Sequence, residues 1–167
     1  MIVRILCPGP SLRDHVHDAS KFTICINRAA VLFPCDVLAA LDFPLMKEIQ
    51  PIIKGNPIWL TTQTTIRDWL DVGCAMWRGP VMTTDAFRGM FKAIDVNFQS
   101  WVAAVAYAAF RCNASRIEVF GADWSGEIDA AGRAGTSREP ARWEQEARKF
   151  GEVAAELAEK QIELVRM

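Results

Sequence analysis

Met1-Ile2-Val3-Arg4-Ile5-Leu6-Cys7-Pro8-Gly9-Pro10-Ser11-Leu12 is the stretch that decides the fold class. Ile2–Leu6 is an apolar run of strand length, and Pro8, Gly9 and Pro10 stop it abruptly. Further runs bounded by breakers follow: Phe22–Ile26 before Asn27, Val37–Leu41 before Asp42, Pro57–Leu60 before Thr61-Thr62, Ile117–Phe120 before Gly121, and Ile162–Val165. These runs do not alternate apolar with polar residues. That pattern belongs to strands covered by helices on both faces, hence to a mostly parallel sheet.

Helical patterns lie between the strands. Gln99–Cys112 carries no charge until Arg111 and predicts a core helix, with Asp95 or Asn97 near its start. In Glu139–Lys160, Trp143, Ala147, Phe150, Ala154 and Leu157 recur at three- or four-residue spacing. Glu144→Arg148 and Glu156→Lys160 are expected as i,i+4 pairs on the opposite face. The alternation predicts an α/β protein, a three-layer Rossmann-like domain with right-handed crossovers. Its 167 residues suffice for one buried core, so a single domain is expected over 1–167. Gly126–Arg138 is long, small and polar, and is expected to be a mobile loop.

Composition narrows the partners. Lys and Arg number 19 against 20 Asp and Glu, a net charge of −1, so the surface as a whole is not built to grip nucleic acid or an anionic membrane. Arg133, Arg138 and Arg142 form the nearest thing to a basic patch, and a nucleic-acid acceptor is left open without being called for. The five cysteines, Cys7, Cys25, Cys35, Cys74 and Cys112, are scattered without a C-x-x-C pair, which disfavours a disulfide framework or a zinc site. The first apolar run is too short for a signal peptide, and Phe98–Phe110 is too short to span a bilayer. A cytoplasmic protein is expected. His15 and His17 would diverge on a helix and are expected on a polar surface rather than on a metal.

In an open α/β sheet, ligands bind outside the carboxyl ends of the strands. The segments to inspect are therefore Cys7–Leu12, Asn27-Arg28, Asp42, Thr61–Thr65 and Gly121–Gly126. Gly9 lets backbone approach a ligand, Pro10 presets a helical turn, and Ser11 adds a hydroxyl beside unpaired amides. A phosphate cradle and an ordinary strand-to-helix turn both fit these residues. Asp42 reads as a ligand group or as the N-cap of a helix at Pro44. Asp123 reads as a ligand group or a loop cap. Trp124 and Trp143, flanking the long loop, are the tryptophans expected to stack on a base or sugar.

Gly9-Pro10-Ser11-Leu12 after a first strand resembles the G-N-G-P-S-L motif of bacterial sialyltransferases, glycosyltransferase family 42. Related motility accessory factor and pterin-pyrophosphokinase-like domains share that motif. Cys25-Ile26-Asn27-Arg28 is similar to the family's R-C-N-Q segment. Ser100–Ala106 and Ile117–Trp124 are similar to its T-S-G-V core helix and I-Y-L-x-G-x-D-F strand. The resemblance implies a GT-A-like variant of the Rossmann-like fold. It also implies that Gly9, Ser11 and Asn27 contact nucleotide phosphate or ribose, while Ser100 and Gly121–Ser125 line the nucleotide and sugar pocket. Cys7 and Pro8 replace the motif's first glycine and asparagine. Gly135–Glu144 lacks the family's catalytic histidine, and Ser125 stands where its phosphate-binding tyrosine would be.

The expected function is transfer of a sugar from a nucleotide-sugar, by resemblance a CMP-sugar, to an acceptor hydroxyl. Gly9, Pro10, Ser11 and Asn27 would cradle phosphates, and Asp123 and Ser125 would sit at the reacting end. Asp42, Asp123 or Glu144 would act as base, and Arg142 would offset the leaving charge. The donor is substrate and no cofactor is expected. A homo-oligomer would supply acceptor parts that a chain this short lacks. One alternative is a catalytically degenerate nucleotide-binding or assembly module. Another is a Mg²⁺-dependent pyrophosphoryl transferase acting on a pterin, with Asp42 and Asp123 as metal ligands.

Overall fold

Ile2–Leu6 forms β1, which is hydrogen-bonded to a parallel neighbour on each side: β2 (Phe22–Ile26) and β6 (Arg116–Phe120). β3 (Val37–Ala39), β4 (Ile58–Thr61) and β5 (Val81–Thr83) extend the sheet beyond β2, and β7 (Glu163–Arg166) lies outside β6. The computed structural model describes residues 1–74, 77–123, 129–132 and 140–167. All seven strands run parallel, in the order β5-β4-β3-β2-β1-β6-β7. The sheet is more uniform than the mostly parallel one expected.

The helices are α1 (Ala29–Leu32), α2 (Phe43–Ile49), α3 (Gln63–Asp71), α4 (Ser100–Ala106) and α5 (Pro140–Ala158). α4 crosses β1 to β4, and every one of its residues is buried, which explains its lack of charge. Val3, Ile5, Ile24, Ile26, Val37, Ala39, Ile117 and Val119 pack on this side with α4 and with Val153 and Leu157 of α5. The opposite face carries Leu6, Cys25, Leu38 and Trp59 against Ala29 and Ala30 of α1, Met46 and Ile49 of α2, and Trp69 of α3. Both layers are apolar over β2 to β4, and the Rossmann-like three-layer arrangement follows.

Beyond β1 that symmetry fails. The connection from β1 to β2 contains only a 3₁₀ turn, Pro10–Asp14, too short to cover the sheet. Arg4, Arg116, Glu118 and Glu163 line this second face, and strand register sets Arg4 beside Glu118 and Arg116 beside Glu163. The ion pairs close at 3.3 Å for Arg4–Glu118, 3.0 Å for Arg116–Glu118 and 2.7 Å for Arg116–Glu163. The reading of helix-covered runs on both faces is corrected here: opposite charges in cross-strand neighbours replace a helix.

Other boundaries also shift. β5 follows Pro80 and has no long apolar run to announce it. The helix expected over Gln99–Cys112 is α only to Ala106, then one π turn, Tyr107–Arg111; Gln99 is its N-cap, with Asn97 and Asp95 just before it. On α5, Arg148 pairs with Glu152 rather than Glu144, while Glu156 accepts from the backbone amides of Lys92 and Ala93 at 2.9 and 2.6 Å. Among the described residues no helix is long and apolar enough to cross a membrane.

His15 is not on a polar surface. Its ring packs 4.4 Å from Phe120 and 5.4 Å from Phe33, and its Nε2 is enclosed without a hydrogen-bond partner among the described residues. Burial, helped by Arg4 and His17, holds the imidazole below its ordinary value of 6.5. The native state therefore binds fewer protons than the unfolded chain below that pH, and stability falls as pH drops through it. His15→Phe keeps the ring and removes the titration. Between about pH 7.5 and about pH 5, thermal melts of wild type should lose stability more steeply than those of the variant. Parallel losses would remove His15 from the account.

Candidate functional site

The order of strands reverses between β1 and β6, so the loops that leave their carboxyl ends define the crevice. Those loops touch. The Cys7 N–H donates to Phe120 O at 2.8 Å and the Gly9 N–H to Gly121 O at 2.9 Å. A Cβ at Gly9 would stand 2.2 Å from Gly121 O, and one at Gly121 (φ +67°) would stand 2.3 Å from Cys7 O. Ser11 completes the junction, donating its N–H to Asp123 Oδ2 at 2.8 Å and its hydroxyl to Asp123 Oδ1 at 2.5 Å. The donors expected to hold phosphate thus hold the chain's own carboxylate.

Above the junction lies a cavity of about 620 Å³. Gly9, Pro10, Asn27, Asp42, Ser100, Gly121, Asp123 and Arg142 all line it, so most of the residues singled out from sequence meet in one place. Asn27 adopts a left-handed conformation (φ +52°), which asparagine tolerates, and its Oδ1 accepts from Ser100 Oγ at 3.3 Å. That contact joins the end of β2 to the start of α4. Asp42 holds the N-cap position of α2, yet its side chain makes no capping bond and is exposed at the cavity rim. Glu144 is exposed on α5 away from the cavity. Trp124 and Ser125 lie outside the described residues, as do Arg133 and Arg138. Thr61–Thr65 serves α3 instead: Thr62 Oγ1 accepts the Thr65 N–H.

The expected mobile loop, Gly126–Arg138, is described only at 129–132, and there it is fastened. The Ala130 N–H donates to Pro8 O at 2.8 Å, and the Ala130 side chain is buried. Arg13 donates to the carbonyls of Asp129 and Ala130 at 3.1 and 3.2 Å.

Sequence reasoning missed three residues of the site, Glu48, Gln99 and Glu146, and gave Arg28 a place among the segments to inspect but no role. Arg28 is clamped by Glu48, Nε to Oε1 at 3.1 Å and Nη2 to Oε2 at 2.8 Å, and meets Asp129 Oδ2 at 3.3 Å. The bonds to Glu48, and the nearby Asp129, keep the guanidinium protonated even more firmly than usual. Glu146 is only 3 % exposed. Its Oε1 accepts from Gln99 Nε2 at 2.5 Å and from Arg142 Nε at 3.3 Å, while Gln99 Oε1 accepts from Trp101 Nε1 at 2.5 Å. The inward stripe of α5 corrects accordingly. It runs through Trp143, Glu146, Phe150, Val153 and Leu157, and Ala147 is exposed. The same spacing of three and four, started at Trp143 and stepped to Glu146, would have found the carboxylate.

The lining combines aromatic rings, Phe98, Trp101, Trp143 and Phe150, with charged groups, among which Asp42, Glu48, Asp123, Asp129 and Glu146 outnumber Arg28 and Arg142. Such a lining accepts hydrogen bonds readily from hydroxyl or amino groups, and among the described lining residues Arg28 and Arg142 are the cations that can meet an anion. Burial, then Asp123 and Glu146, push the Cys7 thiol up to about 12, so it offers no thiolate. Among the described residues no group of three or more His, Cys, Asp or Glu is placed to hold a metal ion.

No protein-family model, curated protein or solved structure matches this chain.

Two substitutions test that geometry. Gly9→Ala forces the two loops apart and should cost about 1–3 kcal/mol of stability in chemical denaturation. Wild-type stability in that variant would mean that the junction yields freely. Glu146→Ala strands the Gln99 amide in the wall and should cost about 1–3 kcal/mol, whereas Glu146→Gln retains an acceptor and should cost less. Equal losses would show that the hydrogen bond to Gln99 is not what Glu146 contributes.

Proposed function

We propose that this chain binds a nucleotide or nucleotide-sugar over the β1–β6 junction and transfers the sugar to an acceptor hydroxyl. The observation that carries the reading is the cavity's place at the carboxyl edge where strand order reverses, with aromatic rings and charged groups together in its lining. The rings of Phe98, Trp101, Trp143 and Phe150 provide a surface for base or sugar, and the carboxylates accept from sugar hydroxyls. Arg28 and Arg142 are the cations for phosphate. The resemblance to family 42 makes a CMP-sugar the first donor to test. The donor is a substrate, and the reading calls for no cofactor. Unpaired cysteines fit a reducing compartment, the cytoplasm in this reading, and a second subunit would complete the acceptor side.

Asp42 is the preferred base. Its carboxylate has no partner among the described residues, whereas both oxygens of Asp123 already accept from Ser11. In the transfer, Asp42 takes the proton of the acceptor hydroxyl while the acceptor oxygen bonds to the anomeric carbon. The bond from that carbon to the phosphate oxygen breaks, and the nucleotide leaves with the electron pair beside Arg142.

A second reading is a binding module without turnover. It is favoured by the extent to which Arg28, Asp123 and Glu146 are already partnered within the chain. The pyrophosphoryl-transfer reading draws less support, since Asp123 is engaged by Ser11 and no third metal ligand joins it and Asp42 among the described residues.

Isothermal titration against CMP, CDP, UDP and GDP should detect binding between the micromolar and millimolar ranges; no binding to any of them overturns the proposal. With a turned-over donor in hand, Asp42→Asn should lower kcat by roughly a hundredfold or more while ligand affinity holds. Arg142→Ala should lower both. Binding with every activity unchanged in the two variants decides for the module.

A further inference from the structure

Of the four rings in the cavity lining, Phe98 is the exposed one. It is 45 % exposed, whereas Trp101 is buried and Trp143 and Phe150 are half-buried. Trp101 is engaged within the chain, through Nε1 with Gln99 and at 5.7 Å from the Phe150 ring. Phe98 has no aromatic partner among the described residues. Leaving such a ring in water forgoes the gain of burying it, yet the backbone beneath it is held firmly. The Asn97 N–H donates to Asp95 Oδ1 at 2.7 Å, the Phe98 N–H donates to Asp95 O at 3.0 Å, and Thr84 Oγ1 donates to Asn97 Oδ1. A fixed turn therefore presents an open ring, on which a planar group can stack without reordering the chain.

The two arginines of the cavity differ in what they have left to offer. Arg28 gives Nε and Nη2 to Glu48 and Nη1 to Asp129. Arg142 gives only Nε, to Glu146 at 3.3 Å, and its two Nη groups have no partner among the described residues. That end of a guanidinium can take two oxygens of a phosphate. A short chain of contacts ties it to the ring. Phe98 precedes Gln99, whose Nε2 donates to Glu146 Oε1 at 2.5 Å, the same oxygen that accepts from Arg142.

We propose that Phe98 and Arg142 form a two-point site for a nucleotide, in which the base stacks on Phe98 and the phosphate lies on the Nη end of Arg142. The inference rests on the reading that the cavity takes a nucleotide, and it gives each end of that ligand a place. Glu146 is a positioning residue, linking the turn beside the ring to the arginine through one oxygen. Every base has a π face, so the ring sets affinity for nucleotides as a class and does not choose among bases.

Isothermal titration with CDP, GDP and inorganic pyrophosphate at one salt concentration tests this in wild type and three variants. Phe98→Ala should weaken CDP and GDP alike by roughly tenfold, and pyrophosphate, which has no base, by less than about twofold. Phe98→Tyr keeps a ring and should hold both nucleotides within about threefold of wild type. Arg142→Ala should weaken all three ligands by roughly fivefold or more. Nucleotide binding that Phe98→Ala leaves intact overturns the proposal. So does a loss in that variant that pyrophosphate shares equally, since the ring would then be a structural support. Pyrophosphate binding that is absent from wild type, or that survives Arg142→Ala unchanged, overturns it too. In each of these cases wild-type binding of CDP or GDP leaves the nucleotide reading standing. If pyrophosphate binds through Arg142 and neither nucleotide binds, the nucleotide reading and the role of Phe98 fail together.

Discussion

The contact of Gly9 with Gly121 is the constraint on which the rest of the site depends. Two loops leave adjacent strands at the point where the sheet changes direction, and they approach so closely that neither position has room for a Cβ. Their backbones bond directly, and Ser11 and Asp123 add a side-chain lock above. This closes the floor of the crevice. The cavity can then be walled by elements far apart in sequence: the end of β2, the cap of α2, the start of α4 and the inward face of α5.

Charge inside the cavity follows a consistent economy of partners. Glu48 holds Arg28, Ser11 holds Asp123, and Gln99 holds Glu146, so most ionised groups in the wall are oriented before any ligand arrives. Groups held in this way have little orientational freedom left to lose, whereas the exposed carboxylate of Asp42 has no partner among the described residues.

Much of the fold was legible because it rests on local apolar density. Ile2–Leu6 and Phe22–Ile26 are strands to the residue, since proline, glycine or asparagine follows each of them. The segments after the strands pointed to the site because topology alone brings them to one edge. What stayed hidden depends on partners distant in sequence. Arg28 needed Glu48 and Asp129 to become a clamp, and Gln99 gained its meaning only from Trp101 and Glu146. Reading Ser11 as a phosphate donor was sound local chemistry. No local rule could say that Asp123, 112 residues away, would reach its amide first.

The charged row on the open face of β1, β6 and β7 bears on how the sheet is assembled. β1 must find β6 across 114 residues of chain, and a slip of one residue would turn every side chain of the incoming strand to the wrong face. In the native alignment Arg4 meets Glu118 and Arg116 meets Glu163. After a one-residue slip, Arg4 would face an aliphatic neighbour, Ile117 or Val119, and charged side chains would be driven under α5. The ionic row therefore works as a key for alignment: it penalises misregistered pairing on the side of the sheet where, among the described residues, no helix is present to enforce it.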